Sequence, residues 1–464
     1  MESTKDTKFG GVQSTFSRRN LLKGAAALAA AATVPEALGQ RATGAPRGTV
    51  WLYISTYTGN PGGGGDGEGI YLCELNLSTG KLTVLRLVAP VVPAMGMTPS
   101  TASPSTIALD PTRTHLYAGN EYGPPGAVSA YSINRLTGDL TLLNVQPAVG
   151  APAHVSVDHS GRYLFSAEYS GSWFEVFPIN LVDGRLGPAV FQMQTLDNVD
   201  TSFKIKPATS APPGSFAFSA HEGPNGHPHQ MEADPSNQWV LGSDAGQDRI
   251  YVWKLTVGGN PPLTPAAIPF VDMPDVPPGD GPRHFAFHPN GRWVYSIQEE
   301  GDTIIFWRFN RATGSLTKEQ QVSSLPPGFV GTVFTSEIRV SADGRFVYGV
   351  NRLSDTICVF RIDEDGTLTQ VSHASTLGDY PRIITIDPSG RFLVSGNQRA
   401  DNVTTFRIAG RRGDEGEDDD VSHENDNVSG EFKGSGDFKR KDGSLTFTGN
   451  YTAVGSPSGM VFLI

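Results

Sequence analysis

His154, His229, Arg283, His284, Glu337 and Arg382 fall at the same step of a repeated phrase, one or two residues after a Pro or its equivalent. The pairs are Ala153-His154, His229-Gln230, Arg283-His284, Ser336-Glu337 and Arg382-Ile383, and the first such pair, Ser105-Thr106, is small and polar. Imidazoles, guanidiniums and a carboxylate gathered at one mouth could activate a water. A carboxylate near His and Arg can accept a proton, and preorganised donors stabilise an oxyanion as it develops. Planar guanidinium groups, here Arg352 and Arg382, suit a carboxylate or a phosphate. Any single member could simply bond a neighbouring carbonyl. The set together marks a site, because unused charges in a channel cost desolvation energy.

The same residues also suggest a metal. His227 and His229 form His-x-His, and with His284 and Glu337 they could frame a hydrolytic metal site with an open position. Pro228 breaks regular strand geometry between them, and Arg283 would set a cation beside the ion. No metal and no other cofactor is therefore expected.

The elements that must position these groups are announced by the repeat itself. Asp387-Pro388-Ser389-Gly390-Arg391 has counterparts beginning at Asp110, Asp158, Asp234, His288 and Ser341. Each is preceded by a short alternating apolar run and followed by one rich in Val, Ile, Phe, Tyr or Trp. In the turn, Asp caps, Pro fixes φ and Gly takes a conformation that other residues avoid. The unit holds four strands, and such units stack only as a repeat architecture. The interval between the turns at Asp158 and Asp234 is the longest, which places an insertion near residues 191–228. A truncated unit of three strands precedes the first turn, and Gly459–Ile464 supplies its missing strand. The expectation is an all-β chain: a seven-bladed β-propeller of four-stranded blades, closed by the C-terminal strand joining the N-terminal blade. The runner-up is an open or six-bladed arrangement. The first strand of each blade lines the central channel, where the candidate residues begin.

Residues 1–39 read as a twin-arginine signal peptide: Ser17-Arg18-Arg19-Asn20-Leu21-Leu22-Lys23, an apolar run from Gly24 to Val34, and small residues at Ala37 and Gly39. The apolar run is short for a membrane span, so no stable membrane insertion is expected. The partner implied is the twin-arginine export machinery, and the location periplasmic or secreted. Residues 40–464 form the propeller domain, interrupted at about 410–443 by an acidic insert containing Asp414-Glu415-Gly416-Glu417-Asp418-Asp419-Asp420, expected to be disordered. A net charge of −11 without a basic stripe excludes nucleic acid as a partner. Cys73 and Cys358, the two cysteines, fall in predicted strand interiors and are expected to be separate buried thiols.

His227-Pro228-His229-Gln230, Gly281-Pro282-Arg283-His284, the run from Ser336 to Ser341, Asn351-Arg352 and Pro381-Arg382 together resemble the seven-bladed propeller lactonase family, which includes 6-phosphogluconolactonases and carboxy-cis,cis-muconate cyclases. The resemblance covers about Val50 to Ile408 and the last strand. It departs at Arg339, where the family commonly carries His, and at the acidic insert. The resemblance implies an enzyme acting on a small-molecule lactone or hydroxy acid. For hydrolysis, Glu337 is the natural general base, with Arg283 and His229 as oxyanion donors. Arg352, Arg382, His227, His284 and His154 are then the substrate-binding set. Export argues for a sugar-acid or related lactone rather than a phosphorylated cytoplasmic one. Two alternatives stay open: a carboxymuconate-type cycloisomerase, with His284 as proton donor, and a non-catalytic binding propeller.

Overall fold

The computed structural model describes residues 44–59, 65–91, 101–195, 226–273, 280–331, 333–410 and 442–464. They form 28 β-strands in seven four-stranded antiparallel sheets, and among the described residues there is no helix. Each sheet takes four strands in sequence order except the first, whose order is β28 (Pro457–Leu463), β1 (Thr49–Thr56), β2 (Gly69–Asn76), β3 (Leu82–Pro90). The seam pairs Trp51 with Leu463, Tyr53 with Val461 and Ser55 with Gly459. The innermost strands touch one another in cyclic order, so the ring is closed and the seam leaves no open edge there. This is the seven-bladed propeller that the repeat predicts.

The repeated turn works through its Asp. Asp158 Oδ1 accepts from the backbone N–H groups of Arg162 and Tyr163 at 2.7 and 2.8 Å, and Asp234 Oδ1 accepts from Gln238 and Trp239 at 2.8 and 2.7 Å. One carboxylate thereby ties the turn to the start of the second strand. The fourth residue of the turn needs positive φ: Gly291 and Gly390 both sit at 65°. In two blades Arg113 (59°) and Asn237 (56°) occupy that place, so the conformation is imposed by the turn and not only permitted by Gly.

The core is divided among the blade junctions. Seven apolar clusters each join two neighbouring blades. At the seam, Leu463 packs with Trp51, Ile107 and Tyr131, while Met460 and Phe462 pack on the other face with Ile383, Phe392 and Val403. A strand alternates its side chains between faces, and a blade between two neighbours needs both faces apolar. That requirement is why the runs are nearly continuous in hydrophobic residues. Cys73 and Cys358 are buried free thiols in two different blades, and burial pushes both up to about 12.

The insertion expected over 191–228 begins later than its sequence suggested. Phe191–Gln194 form the short outer strand of the third blade, pairing Phe191 with Val176 and Gln194 with Trp173. Its four residues are too few and too polar to register as a strand by pattern. Residues 196–225, the signal peptide over 1–39 and all but the ends of the acidic insert lie outside the described residues.

Candidate active site

The channel is lined by β28 and by the first strands of the other blades: β4 (Pro104–Leu109), β8 (Ala151–Val157), β12 (Pro228–Ala233), β16 (Pro282–Phe287), β20 (Phe334–Val340) and β24 (Pro381–Ile386). All seven slip register at the same place. The slip follows Pro104, Pro152, Pro228, Pro282, Thr335 and Pro381, and at the seam it falls beside Ser458. A bulge leaves its residue unpaired and re-aims the side chain, which proteins use at barrel rims beside active sites. Here it frees consecutive residues from strict alternation. Arg283 and His284, which a regular strand would point to opposite faces, both line one cavity of about 70 Å³ with His154, Glu337, Arg339 and Arg382.

His284 is the hub. Its Nδ1 lies 3.2 Å from Glu337 Oε2, and its Nε2 lies 3.4 Å from Arg283 Nη1. A guanidinium can only donate and an ionised carboxylate can only accept. These two neighbours therefore assign the neutral Nδ1–H tautomer, with Nε2 as the acceptor. Burial lowers His284 to about 4 against the opposing pull of Glu337, which keeps the ring neutral at neutral pH. The His154 and His229 rings meet the His284 ring edge-on, with centroids 5.5 and 5.0 Å away. Both are held well below the ordinary imidazole range, His154 by burial and then by His284, His229 by burial and then by Arg283. Among the described residues the buried Nδ1 atoms of His154 and His229 have no hydrogen-bond partner.

Glu337 is 2% exposed, and its second oxygen, Oε1, accepts from the Ile338 N–H at 3.0 Å. Burial alone would raise its carboxyl. Arg339, whose Nη2 lies 3.5 Å from Oε2, together with His284 and Arg283 outweighs that and holds it at about 2. Arg283, 1% exposed, donates from Nη1 to Ser336 O at 2.5 Å, and burial lowers its guanidinium to about 10.

The other predicted residues sit around this centre. Arg382 lies at the mouth, 3.6 Å from Glu121 Oε2 and over the Tyr57 ring at 4.9 Å. Arg352 pairs with Glu299 and donates to Thr335 O and Tyr380 Oη at 2.8 and 3.1 Å. Both arginines thus face the mouth already holding a carboxylate. His227 stacks on the Tyr169 ring at 4.4 Å with Nδ1 3.2 Å from Tyr169 O, and the same Tyr169 ring meets that of His229 edge-on at 5.5 Å. Among the described residues no group of three or more His, Cys, Asp and Glu is arranged to hold a metal ion.

Sequence reasoning missed Tyr57, Glu121, Tyr169 and Glu299. They share a signal. The register aligns Thr56, Asn120, Glu168, Asp244, Gln298, Asn351 and Asn397 with the residue at or equivalent to the leading Pro of the first strand. Among the residues that follow, Tyr57, Glu121, Tyr169, Glu299 and Arg352 make the contacts that surround the candidate centre. A second ruler laid on the second strands, instead of one laid only on the first, would have found them.

Residues 51–424 match the family described as Lactonase, 7-bladed beta-propeller. Residues 15–35 match the twin-arginine translocation pathway signal sequence, so the chain carries the export signal that its N-terminus suggests. The 6-phosphogluconolactonase of Bacillus subtilis is 32% identical over 356 residues, covering 76% of this chain and 90% of that protein. The 6-phosphogluconolactonase of Pectobacterium carotovorum is 31% identical over 350 residues, covering 75% and 90%. Among solved structures, the periplasmic gluconolactonase of Pseudomonas aeruginosa superimposes with a TM-score of 0.69 at 26% identity, covering 90% of this chain and 99% of that one. With the bulged first strands, the closed ring and the His–Glu–Arg centre, these matches establish that the chain belongs to the seven-bladed β-propeller lactonase family.

Proposed function

We propose that this protein hydrolyses a sugar-acid lactone after twin-arginine export, at the channel mouth, with His284 and Glu337 acting as one acid–base unit. The observation that carries the reading is the His284 Nδ1–Glu337 Oε2 contact of 3.2 Å beside the buried Arg283. Water attacks the lactone carbonyl carbon while its proton passes to His284 Nε2, whose lone pair Arg283 Nη1 releases as that guanidinium turns to the oxyanion. Glu337 keeps the Nδ1 proton in place and stabilises the imidazolium that forms. Both Glu337 oxygens already accept hydrogen bonds, and its carboxyl sits at about 2. Such a group is a weak base and a strong electrostatic partner, so the proton goes to the ring. Arg283 and His229 receive the oxyanion. The tetrahedral species then collapses, the ring C–O bond breaks, and the leaving alkoxide takes the proton back from Nε2. Atoms balance: one lactone and one water give one hydroxy acid.

The names of the relatives support a sugar lactone as substrate, and the export signal supports an unphosphorylated one. The test is hydrolysis of a panel of aldono- and other lactones by the purified protein, followed as acid release. His229→Ala is expected to cost about 100-fold in kcat, as removal of an oxyanion donor does. No turnover of any lactone would sink the enzyme reading, and an unimpaired His229→Ala would remove that residue from the oxyanion role.

Arg339 carries a pH prediction. Glu337 has a lowered carboxyl, so its pairing contributes stability that is present above the ordinary Glu value and lost as pH falls through about 2. Arg339 also helps to lower His284, which sits at about 4. Replacing Arg339 with Met lets both groups protonate at higher pH, and the acid limb of the rate profile moves up. The Arg339 side chain is 38% exposed and its field is screened, so the expected effect at pH 4 is a loss of a few-fold relative to the rate at pH 7. An unmoved acid limb would show that Arg339 does not act on this pair.

A further inference from the structure

The rim of the channel holds two carboxylates for which the proposed hydrolysis has no use. Glu121 Oε2 lies 3.6 Å from Arg382 and accepts from Tyr57 Oη at 2.6 Å. Glu299 Oε1 pairs with Arg352 and lies 3.7 Å from Arg283 Nε. Each stands directly after a second strand, facing the bulged first strands across the mouth. A site built to grip a phosphate dianion would keep its guanidinium forks open, because bidentate Arg is the strong ligand for such a group. Here the arginines of the rim are turned onto carboxylates, and the Tyr57 ring is covered by Arg382 and the Tyr380 ring by Arg352 at 5.1 Å. A carboxylate in this position does two things. It accepts hydrogen bonds from hydroxyl groups, and it repels a second anion placed beside it. Like-charge juxtaposition is a recognised means of rejecting the wrong partner.

We infer that Glu121 and Glu299 are specificity-determining residues, reading the hydroxyls of an uncharged aldonolactone and excluding its phosphorylated counterpart. The inference rests on the lactonase reading above and goes beyond it by naming the charge state of the substrate and the residues that select it. Glu299 has the wider reach, since it faces both Arg283 at the reacting centre and Arg352 at the rim. Glu121 acts with Tyr57 on the Arg382 side. The positive charge that would otherwise favour a phosphate is thus offset twice, on both sides of the mouth.

The test compares kcat/KM for glucono-δ-lactone and for its 6-phosphate, measured on one preparation so that the active fraction cancels. The wild-type protein is expected to favour the unphosphorylated lactone by at least about tenfold. In Glu121→Gln/Glu299→Gln that ratio is expected to fall by at least about tenfold, chiefly through better use of the phosphorylated lactone. A structural role alone would lower both values together and leave the ratio in place. A wild-type protein that prefers the phosphorylated lactone, or a double variant with an unchanged ratio, overturns the inference while leaving the lactonase reading intact. Turnover of neither lactone, while other lactones of the panel are hydrolysed, also overturns it; silence across the whole panel removes the lactonase reading itself. If the double variant does not fold, the wild-type ratio and Glu121→Gln alone decide the matter.

Discussion

Glu337→Gln is expected to lower kcat for lactone hydrolysis by about 10³-fold with little change in KM, a loss within the range of general acid–base catalysis. At 1.4 kcal/mol per decade this is about 4 kcal/mol of transition-state stabilisation. The substitution keeps size and shape and removes one charge. In the native protein that charge fixes which nitrogen of His284 carries the proton, because Glu337 Oε2 can only accept from Nδ1 at 3.2 Å. An amide can present N–H instead, which lets the ring hold its proton on Nε2. A ring protonated there cannot take the proton of water. The amide also cannot stabilise the imidazolium, and it leaves Arg339 and Arg283 without the anion that they flank. Breaking a buried charge cluster destabilises proteins by about 3–5 kcal/mol, so Tm falls as well. The rate is therefore to be read well below the variant's melting range, with a thermal melt alongside. A kcat within tenfold of wild type would show that Glu337 is not the anion of the acid–base unit.

Much of this was legible because the repeat supplies a ruler. The Asp and Pro turns counted the blades, and the residues upstream of them located Arg283, His284, Glu337 and Arg382, which line one cavity, and His229, whose ring meets that of His284. The same ruler identified the seam, since the orphan run Gly459–Ile464 follows a Pro as other first strands do, and the structure pairs it with the first blade. Three things were not legible, each for a physical reason. The bulge after each leading Pro depends on hydrogen-bond register, and a linear pattern of residues does not carry register. Without the bulge there is no reason for Arg283 and His284 to face the same cavity. Glu121 and Glu299 were missed because the ends of second strands also carry the polar residues that close ordinary turns. The pairing of Arg352 and Arg382 with those carboxylates followed from the same gap: guanidiniums that look available for substrate in the sequence are already engaged in three dimensions. The link between His227 and His229 runs through Tyr169, whose ring stacks on one and meets the other edge-on, and a linear pattern does not show such a contact.

Removing residues 457–464 is expected to abolish the folded state, although none of the residues removed carries the proposed chemistry. Strand β28 is the innermost strand of the first blade, and it faces a junction on either side. Met460, Phe462 and Leu463 are 4, 8 and 1% exposed. Burying a large apolar side chain contributes about 1.5–3 kcal/mol, so their loss alone is worth about 5 kcal/mol or more. That equals a large part of the 5–15 kcal/mol that separates folded from unfolded chains of ordinary domains. The deletion also strips β1 of its ladder partner from Trp51 to Thr56 and exposes the edge of a long apolar strand, a template for aggregation. Ser458 and Gly459, which line the candidate active-site cavity together with Arg283, His284 and Glu337, go with it. The expected outcome is insoluble protein, or a soluble form without a cooperative thermal transition and without lactone hydrolysis. A control separates the strand from the position of the chain end: a circular permutant carrying residues 457–464 ahead of Thr49 restores the same sheet and is expected to recover a cooperative melt. Recovery would place the stability in the β28–β1 pairing itself. A truncated protein that melts cooperatively near the wild-type Tm would mean that the ring is held without its seam.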